Sequence, residues 1–296
     1  MKPSLRPLEQ QVLVITGASS GIGLTTALMA AERGAKVVLV ARSDETLREI
    51  REGIEREGGQ AVVVAADVAD RDALEDVARL AVERFGRIDT WVNNAGVSIY
   101  GRLDEVSDED NRRLFETNFW GTVYGSLVAL PYLRRQGGAL INVGSEVSDA
   151  VIPLQGMYSA SKHAVKGFTD ALRVEIEHVD EAPVEIVLIQ PTAVDTPYPE
   201  HARNYMAEEP KLPTPMIPPE QVAEAILEAA VEGGRDVKVG AMSKMNTLTA
   251  KVAPSLGDRF SAMQAGRQQR DEPASRDPHG ALDRPSEDGR THGRAT

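Results

Sequence analysis

The stretch Thr16-Gly17-Ala18-Ser19-Ser20-Gly21-Ile22-Gly23 lies between the β-branched run Val12–Thr16 and the helical pattern LTTALMAAERG. Three glycines at a strand-to-helix turn have a physical use. They permit a tight turn, let the backbone approach a pyrophosphate, and let the helix pack closely on the strand. The helix start then offers phosphates free N–H groups and a partial positive charge. An ordinary glycine-rich turn has the same composition. The strand before it, the helix after it and its place near the start of the chain favour dinucleotide binding, with Gly17, Ser19, Ser20, Gly21, Ile22 and Gly23 as the cradle.

Outward from this turn, short apolar runs recur at Lys36–Val40, Ala61–Ala66, Ile88–Val92, Ala139–Val143, Val184–Gln190 and Val237–Val239. Longer stretches with apolar residues at helical spacing separate them, as at Ala73, Val77, Leu80 and Ala81. Continuous apolar strands alternating with helices indicate βαβ units around a parallel sheet buried on both faces. The expectation is one α/β domain over residues 9–240, a Rossmann-type doubly wound parallel sheet of about seven strands with helices on both faces.

Two further segments follow. Residues 241–266 read as a helical extension: Met245, Leu248, Val252, Leu256 and Phe260 recur at near-helical spacing, interrupted by Pro254. That stripe predicts packing in the core or between subunits. Residues 267–296 hold four apolar residues in 30, with six Arg against six acidic residues. Such a composition buries too little apolar surface to offset its ordering entropy, so a disordered tail is expected.

The 296 residues carry 33 Lys+Arg against 45 Asp+Glu, a formal charge of −12. That sign disfavours nucleic acid, whose phosphates need a basic surface, and disfavours anionic membranes. Cysteine is absent, which removes disulfides, thiolate nucleophiles and Cys-ligated zinc. The histidines show no HExxH spacing, so no metal is expected. No signal peptide opens the chain and no apolar run approaches the roughly 20 residues of a membrane span. A soluble cytoplasmic protein is the expectation.

TGASSGIG at 16–23 resembles the short-chain dehydrogenase/reductase family, and four other motifs fall in the family's order. They are Asn93-Asn94-Ala95-Gly96, then Asn118, then Ser145, then Tyr158-Ser159-Ala160-Ser161-Lys162 with the family's YxASK wording. The resemblance covers roughly residues 9–240. It implies a catalytic tetrad of Asn118, Ser145, Tyr158 and Lys162, with Asn118 supporting a water-linked proton path from the lysine. It also implies that Asp67 and Val68 meet the adenine, that Asn94 lines the same cleft, and that Val194 and Thr196 meet the carboxamide. Lys162 would contact the nicotinamide ribose. Thr192 departs from the family's usual Pro-Gly, which leaves the backbone there open.

The residues support this chemistry on their own terms. Tyr158 and Lys162, four apart on one helix, share a face. A phenol titrates near 10 and is a poor base at neutral pH, but a nearby ammonium lowers that value. Ser145 is placed to hold a substrate oxygen, or simply to cap the turn after its strand. His163 and His178 lack the GxSxG elbow of a hydrolase. His163 is a helix residue.

The second strand ends at Ala41-Arg42. NAD-binding folds place an acid there to grip the ribose hydroxyls, whereas an arginine accommodates a 2′-phosphate. NADP(H) is therefore preferred, with NAD(H) possible; a surface Arg42 paired with Asp44 or Glu45 is the plain alternative. Residues 191–219 contain eight of the 17 prolines, with Tyr198, His201, Tyr205 and Met206 among them. They suggest a binding loop over a small carbonyl or alcohol substrate, with Ser145, Tyr158 and Tyr198 as contacts and Tyr100 from the opposite wall.

The expected function is NADP(H)-dependent interconversion of a carbonyl and an alcohol. The alternatives are a catalytically silent NADP(H)-sensing protein and a 3-oxoacyl-carrier-protein reductase. The family's habit implies a homodimer or homotetramer.

Overall fold

A computed structural model describes residues 4–286 and 289–294. Seven parallel strands form the central sheet: β1 Val12–Thr16, β2 Lys36–Ala41, β3 Gln60–Ala65, β4 Thr90–Asn93, β5 Gly138–Val143, β6 Val184–Pro191 and β7 Asp236–Val239. Their order is β3-β2-β1-β4-β5-β6-β7. The direction of winding reverses between β1 and β4. A crevice opens there at the carboxyl ends of the strands, the position where doubly wound folds hold ligands.

Side chains alternate across the sheet. Leu13, Ile15, Val37, Leu39 and Ile141 point to one face, where α1 (Gly21–Glu32), α2 (Asp44–Arg56) and α7 (Pro219–Glu232) cover them. Val12, Val14, Val38, Val40 and Leu140 point to the other, under α3 (Arg71–Phe85), α5 (Gly121–Gln136) and α6 (Gly156–Arg173). Every residue of β1 is buried, as the unbroken VLVIT run requires. Between α4 (Asp108–Phe115) and α5 the chain makes one wide π-turn at Glu116–Trp120.

After β7 come α8 (Ala241–Val252) and α9 (Pro254–Met263), broken at Ala253 where Pro254 begins a new helix. The expected apolar stripe points the wrong way for the core. Met245, Leu248, Val252, Leu256 and Phe260 are 51–75% exposed, while Ser243 and Thr247 face inward. Ser243 is drawn in because its hydroxyl bonds the carbonyl of Gln190 at 2.8 Å.

The larger correction concerns the tail. Gln269–Pro273 forms a strand antiparallel to Glu208–Pro210. The buried Glu209 carboxylate accepts the amides of Ser275 at 2.7 Å and Arg276 at 2.9 Å. Leu282 is fully buried among Val97, Ile99 and Leu114. Arg290 and the amide of Arg294 bond Glu200 at 2.7 and 3.0 Å. Several of the charges that suggested solvation are met by partners on the domain, and one leucine supplies the apolar anchor. Residues 287, 288, 295 and 296 of the expected tail lie outside the described residues.

Leu282→Ala is accordingly expected to cost about 2–4 kcal/mol, read as a lower midpoint in thermal unfolding. An unchanged midpoint would show that the segment does not dock in solution.

Candidate active site

The crevice is built first by the glycine turn. Gly17 has φ +67°, and a Cβ there would lie 2.8 Å from Ala95 Cα. Gly23 would place a Cβ 2.2 Å from the Gly17 carbonyl oxygen, so it serves the packing of α1 rather than the cleft surface. Asn94 splices the two strand ends. Its amide nitrogen Nδ2 donates to Thr16 O at 2.9 Å, and its backbone N–H donates to Thr16 Oγ1 at 3.0 Å. This holds the start of α1 open toward the crevice.

One cleft gathers Gly17, Ser19, Ser20, Gly21, Ile22, Arg42, Asp67, Val68, Asn94, Val194 and Thr196 with Ser145, Tyr158, Lys162 and Tyr198. Of the residues read from the sequence as a site, Gly23 and Asn118 are not on its surface. Asn118 is fully buried in the π-turn. Its Oδ1 accepts from Val97 N at 2.8 Å, and its Nδ2 donates to Val97 O at 3.0 Å and to Ser161 Oγ at 3.2 Å. The side chain thus ties the loop after β4 to α6.

Arg42 faces neither Asp44 nor Glu45; Asp44 pairs with Arg48. The guanidinium is held in the cleft, donating to the carbonyl oxygens of Ala281 at 2.5 Å and Leu282 at 3.0 Å. The N–H of Gly21, at the start of α1, donates to Arg290 O at 2.8 Å. The tail's carbonyl oxygens therefore lie where the oxygens of a bound phosphate would be received. This is the fit a dinucleotide needs: donors at the helix start, and a cation beyond the second strand. Asp67 bonds Arg113 and caps the turn at Ala69, while α3 is capped by Asp70.

At the other end, Tyr158 and Lys162 lie on α6 and Ser145 follows β5. Lys162 Nζ donates to Val143 O at 2.8 Å and lies 5.7 Å from the centre of the Tyr158 ring. Ser145 Oγ accepts from Val147 N at 3.3 Å and also meets the Tyr158 hydroxyl. Burial raises the Tyr158 phenol above its ordinary value and lowers the Lys162 ammonium to about 8. The lowering of the tyrosine by its lysine, expected from spacing, is not found; loss of water on burial dominates.

The sequence profile of the family described as short chain dehydrogenase matches residues 11–206. The chain belongs to that family. It is an oxidoreductase with a nucleotide-binding Rossmann-like sheet. This short-chain dehydrogenase is 47% identical over 262 residues to an uncharacterised oxidoreductase, YxnA, of Bacillus subtilis, covering 88% of this chain and 73% of that one. It is 36% identical over 239 residues to an 11-beta-hydroxysteroid dehydrogenase A of Sesamum indicum, covering 77% and 67%. An alcohol dehydrogenase from the archaeon Thermococcus sibiricus, solved in complex with 5-hydroxy-NADP, superposes with a TM-score of 0.68. It is 28% identical, covering 77% of this chain and 95% of that one. Among the described residues, no helix is long and apolar enough to cross a membrane.

Thr192, where the family usually has glycine, needs no left-handed backbone: among the described non-glycine residues only Leu154 and Glu181 have positive φ. Its N–H bonds Val239 O at 3.1 Å. Tyr100 is fully buried behind the wall it was expected to form, and Tyr205 is held away from the cleft by Asp110 at 2.7 Å. Sequence reading missed Glu146, whose carboxyl is raised by burial against bonds from Thr192 and Asn246. It also missed Gln155 and Ser98 on the cleft wall. No periodicity marks such polar residues.

The depressed Lys162 has a sign worth testing. Between about pH 8 and the ordinary lysine value of 10.5 the unfolded chain binds more protons than the folded one. Stability from this group therefore rises with pH across that window. Lys162→Met should flatten the rise, measured as denaturant midpoints of the nucleotide-free protein at the two ends of the window; identical pH dependence in both proteins would refute it.

Proposed function

We propose that this dehydrogenase interconverts a small, partly apolar carbonyl compound and its alcohol with NADP(H) in preference to NAD(H). The observation that carries the reading is a half-buried Tyr158 beside Ser145 and Lys162 in the same cleft as the α1 start and Arg42. Tyr158 delivers its proton to the substrate oxygen as negative charge develops there, and recovers it in the reverse direction. Ser145 donates a hydrogen bond to the same oxygen. The Lys162 ammonium stabilises the phenolate left behind, and Asn118 fixes the loop that faces it. The bound nicotinamide supplies or accepts the hydride. Arg42 and the amides at the start of α1 bind the phosphates, Asp67 and Val68 flank the adenine, and Val194 and Thr196 meet the carboxamide. Tyr198 contacts the substrate.

The archaeal relative's complex with an NADP derivative and the absence of an acid at Ala41 support the cofactor preference. Trp120 and Leu127, both partly exposed on the helical face around α5, support assembly as a homodimer or homotetramer, and the cysteine-free composition is compatible with the cytoplasm. A panel of ketones, aldehydes and alcohols, assayed by nicotinamide absorbance with each cofactor, tests the reading. Turnover of no member, or consistent preference for NADH, would count against it.

A further inference from the structure

The loop between β5 and α6, residues 146–155, forms one wall of the cleft through Glu146, Val147, Ile152 and Gln155. The chain beyond β7 grips this loop along its length. Asn246 of α8 donates from Nδ2 to Glu146 Oε2 at 3.0 Å, and Lys251 of α8 pairs with Asp149 Oδ1 at 3.6 Å. Ser261 of α9 donates to Val151 O at 2.8 Å. Gln268, fully buried just past α9, donates from Nε2 to Pro153 O at 2.6 Å. Its Oε1 accepts from Gln155 Nε2 at 2.6 Å. Carbonyl oxygens and carboxylates of the loop need donors, so polar residues take the inward face of the two helices and the apolar stripe is left outside.

The last of these contacts encloses a residue in an unfavourable conformation. Leu154 has φ +66°, in the left-handed region, which is costly for a side chain with a Cβ and persists only where the surroundings impose it. Gln268 holds Pro153 on one side of it and Gln155 on the other. The Leu154 carbonyl oxygen accepts from Gly101 N at 2.9 Å, which fixes the turn from the segment after β4. Gln268 is anchored in its own right, since its carbonyl oxygen accepts from Lys211 N at 2.9 Å. One side-chain amide thus spans the turn from residue 153 to residue 155 and supplies what the leucine's backbone lacks.

We propose that Gln268 is a positioning residue that clamps the left-handed turn at Leu154 and, with Asn246 and Ser261, holds residues 146–155 as the wall against which the substrate binds. The proposal rests on the reading of this cleft as the site of a carbonyl or alcohol. Ser145, just before the loop, has separate support: its carbonyl oxygen accepts from Gln190 of β6 at 3.4 Å. Tyr158 and Lys162 are fixed on α6. The proton-transfer groups therefore keep their places when the clamp is released, and the wall alone moves. A wall correctly placed for only a fraction of the time weakens apparent affinity by that fraction and leaves the saturated rate alone. The chain beyond β7 sets how tightly the substrate is held, not how fast it reacts.

Kinetics with the ketone or aldehyde of the panel that turns over fastest test the first half. Gln268→Ala should raise its KM about tenfold, the size of one to two hydrogen bonds, with kcat and the NADPH KM little changed. Ser261→Ala removes a solvent-exposed bond and should raise the KM about threefold. Ser261→Thr keeps the hydroxyl and should match wild type. Asparagine tolerates the left-handed backbone, so Leu154→Asn added to Gln268→Ala should recover most of the loss. A merely structural role for Gln268 gives no such rescue. Hydrogen exchange read by mass spectrometry needs no substrate. Peptides spanning residues 146–155 should exchange about tenfold faster in Gln268→Ala, with β1 and β5 unchanged, and Leu154→Asn should reverse the change. An unaltered KM or unaltered exchange in Gln268→Ala, or equal losses with and without Leu154→Asn, would overturn the proposal. If exchange responds as expected while no carbonyl or alcohol is turned over, the functional reading fails and the clamp stands.

Discussion

Tyr158→Phe is expected to lower turnover by about 10²–10⁴-fold, the contribution of a positioned general acid, while NADPH binding persists. The substitution keeps the ring, and with it the edge-to-face packing on Tyr198. It removes the one hydroxyl that sits beside both Ser145 and Tyr198. Lys162→Ala should lose turnover as well, and it should also weaken nucleotide binding, since Lys162 lines the same cleft as the start of α1 and Arg42. Single-turnover rates and nucleotide fluorescence titrations separate the two effects. Near-normal turnover in Tyr158→Phe would remove that residue from the chemistry altogether.

The second large effect is on cofactor choice. Arg42→Ala should weaken NADPH binding by about tenfold, with little change for NADH. A charge-assisted hydrogen bond contributes about 1.5–3 kcal/mol, and tenfold is about 1.4 kcal/mol. The lower end applies because the guanidinium already has two carbonyl acceptors from the tail, so only the difference between those bonds and a phosphate is lost. Ala41→Asp combined with Arg42→Ala should reverse the preference, through repulsion of the 2′-phosphate and new acceptors for the ribose hydroxyls. The measurement is kcat/KM for both cofactors with one working substrate. A wild-type enzyme that prefers NADH would leave Arg42 as a tether for the tail and nothing more.

The sheet was legible because its signal is local: seven apolar runs, each close in length to its strand, between stretches of helical spacing. The glycine turn and the Tyr158–Lys162 pair were legible for the same reason, since neighbours in sequence are neighbours on one turn. What escaped is long-range and polar. Gln155 and Gln268 are 113 residues apart, and each alone is an unremarkable amide. Leu282 escaped because composition averages over a segment, whereas docking there depends on one buried side chain and a few ion pairs met in turn. Core packing of the stripe on α8 and α9, one of its two expected roles, failed for the opposite reason. Periodicity reports that a helix has an apolar face and not which way the face is turned.

Arg290 O on the Gly21 amide and the two carbonyls on Arg42 give the cleft an occupant from its own chain. A phosphate arriving at those donors must take them from the protein rather than from water. Entry is then an exchange in two steps, release of the segment followed by capture, and the first step does not involve the incoming molecule. The observed association rate should therefore level off as nucleotide concentration rises, at the rate with which Ala281, Leu282 and Arg290 lift away. Shortening the chain before Ala281 would restore a rate that climbs in proportion to concentration.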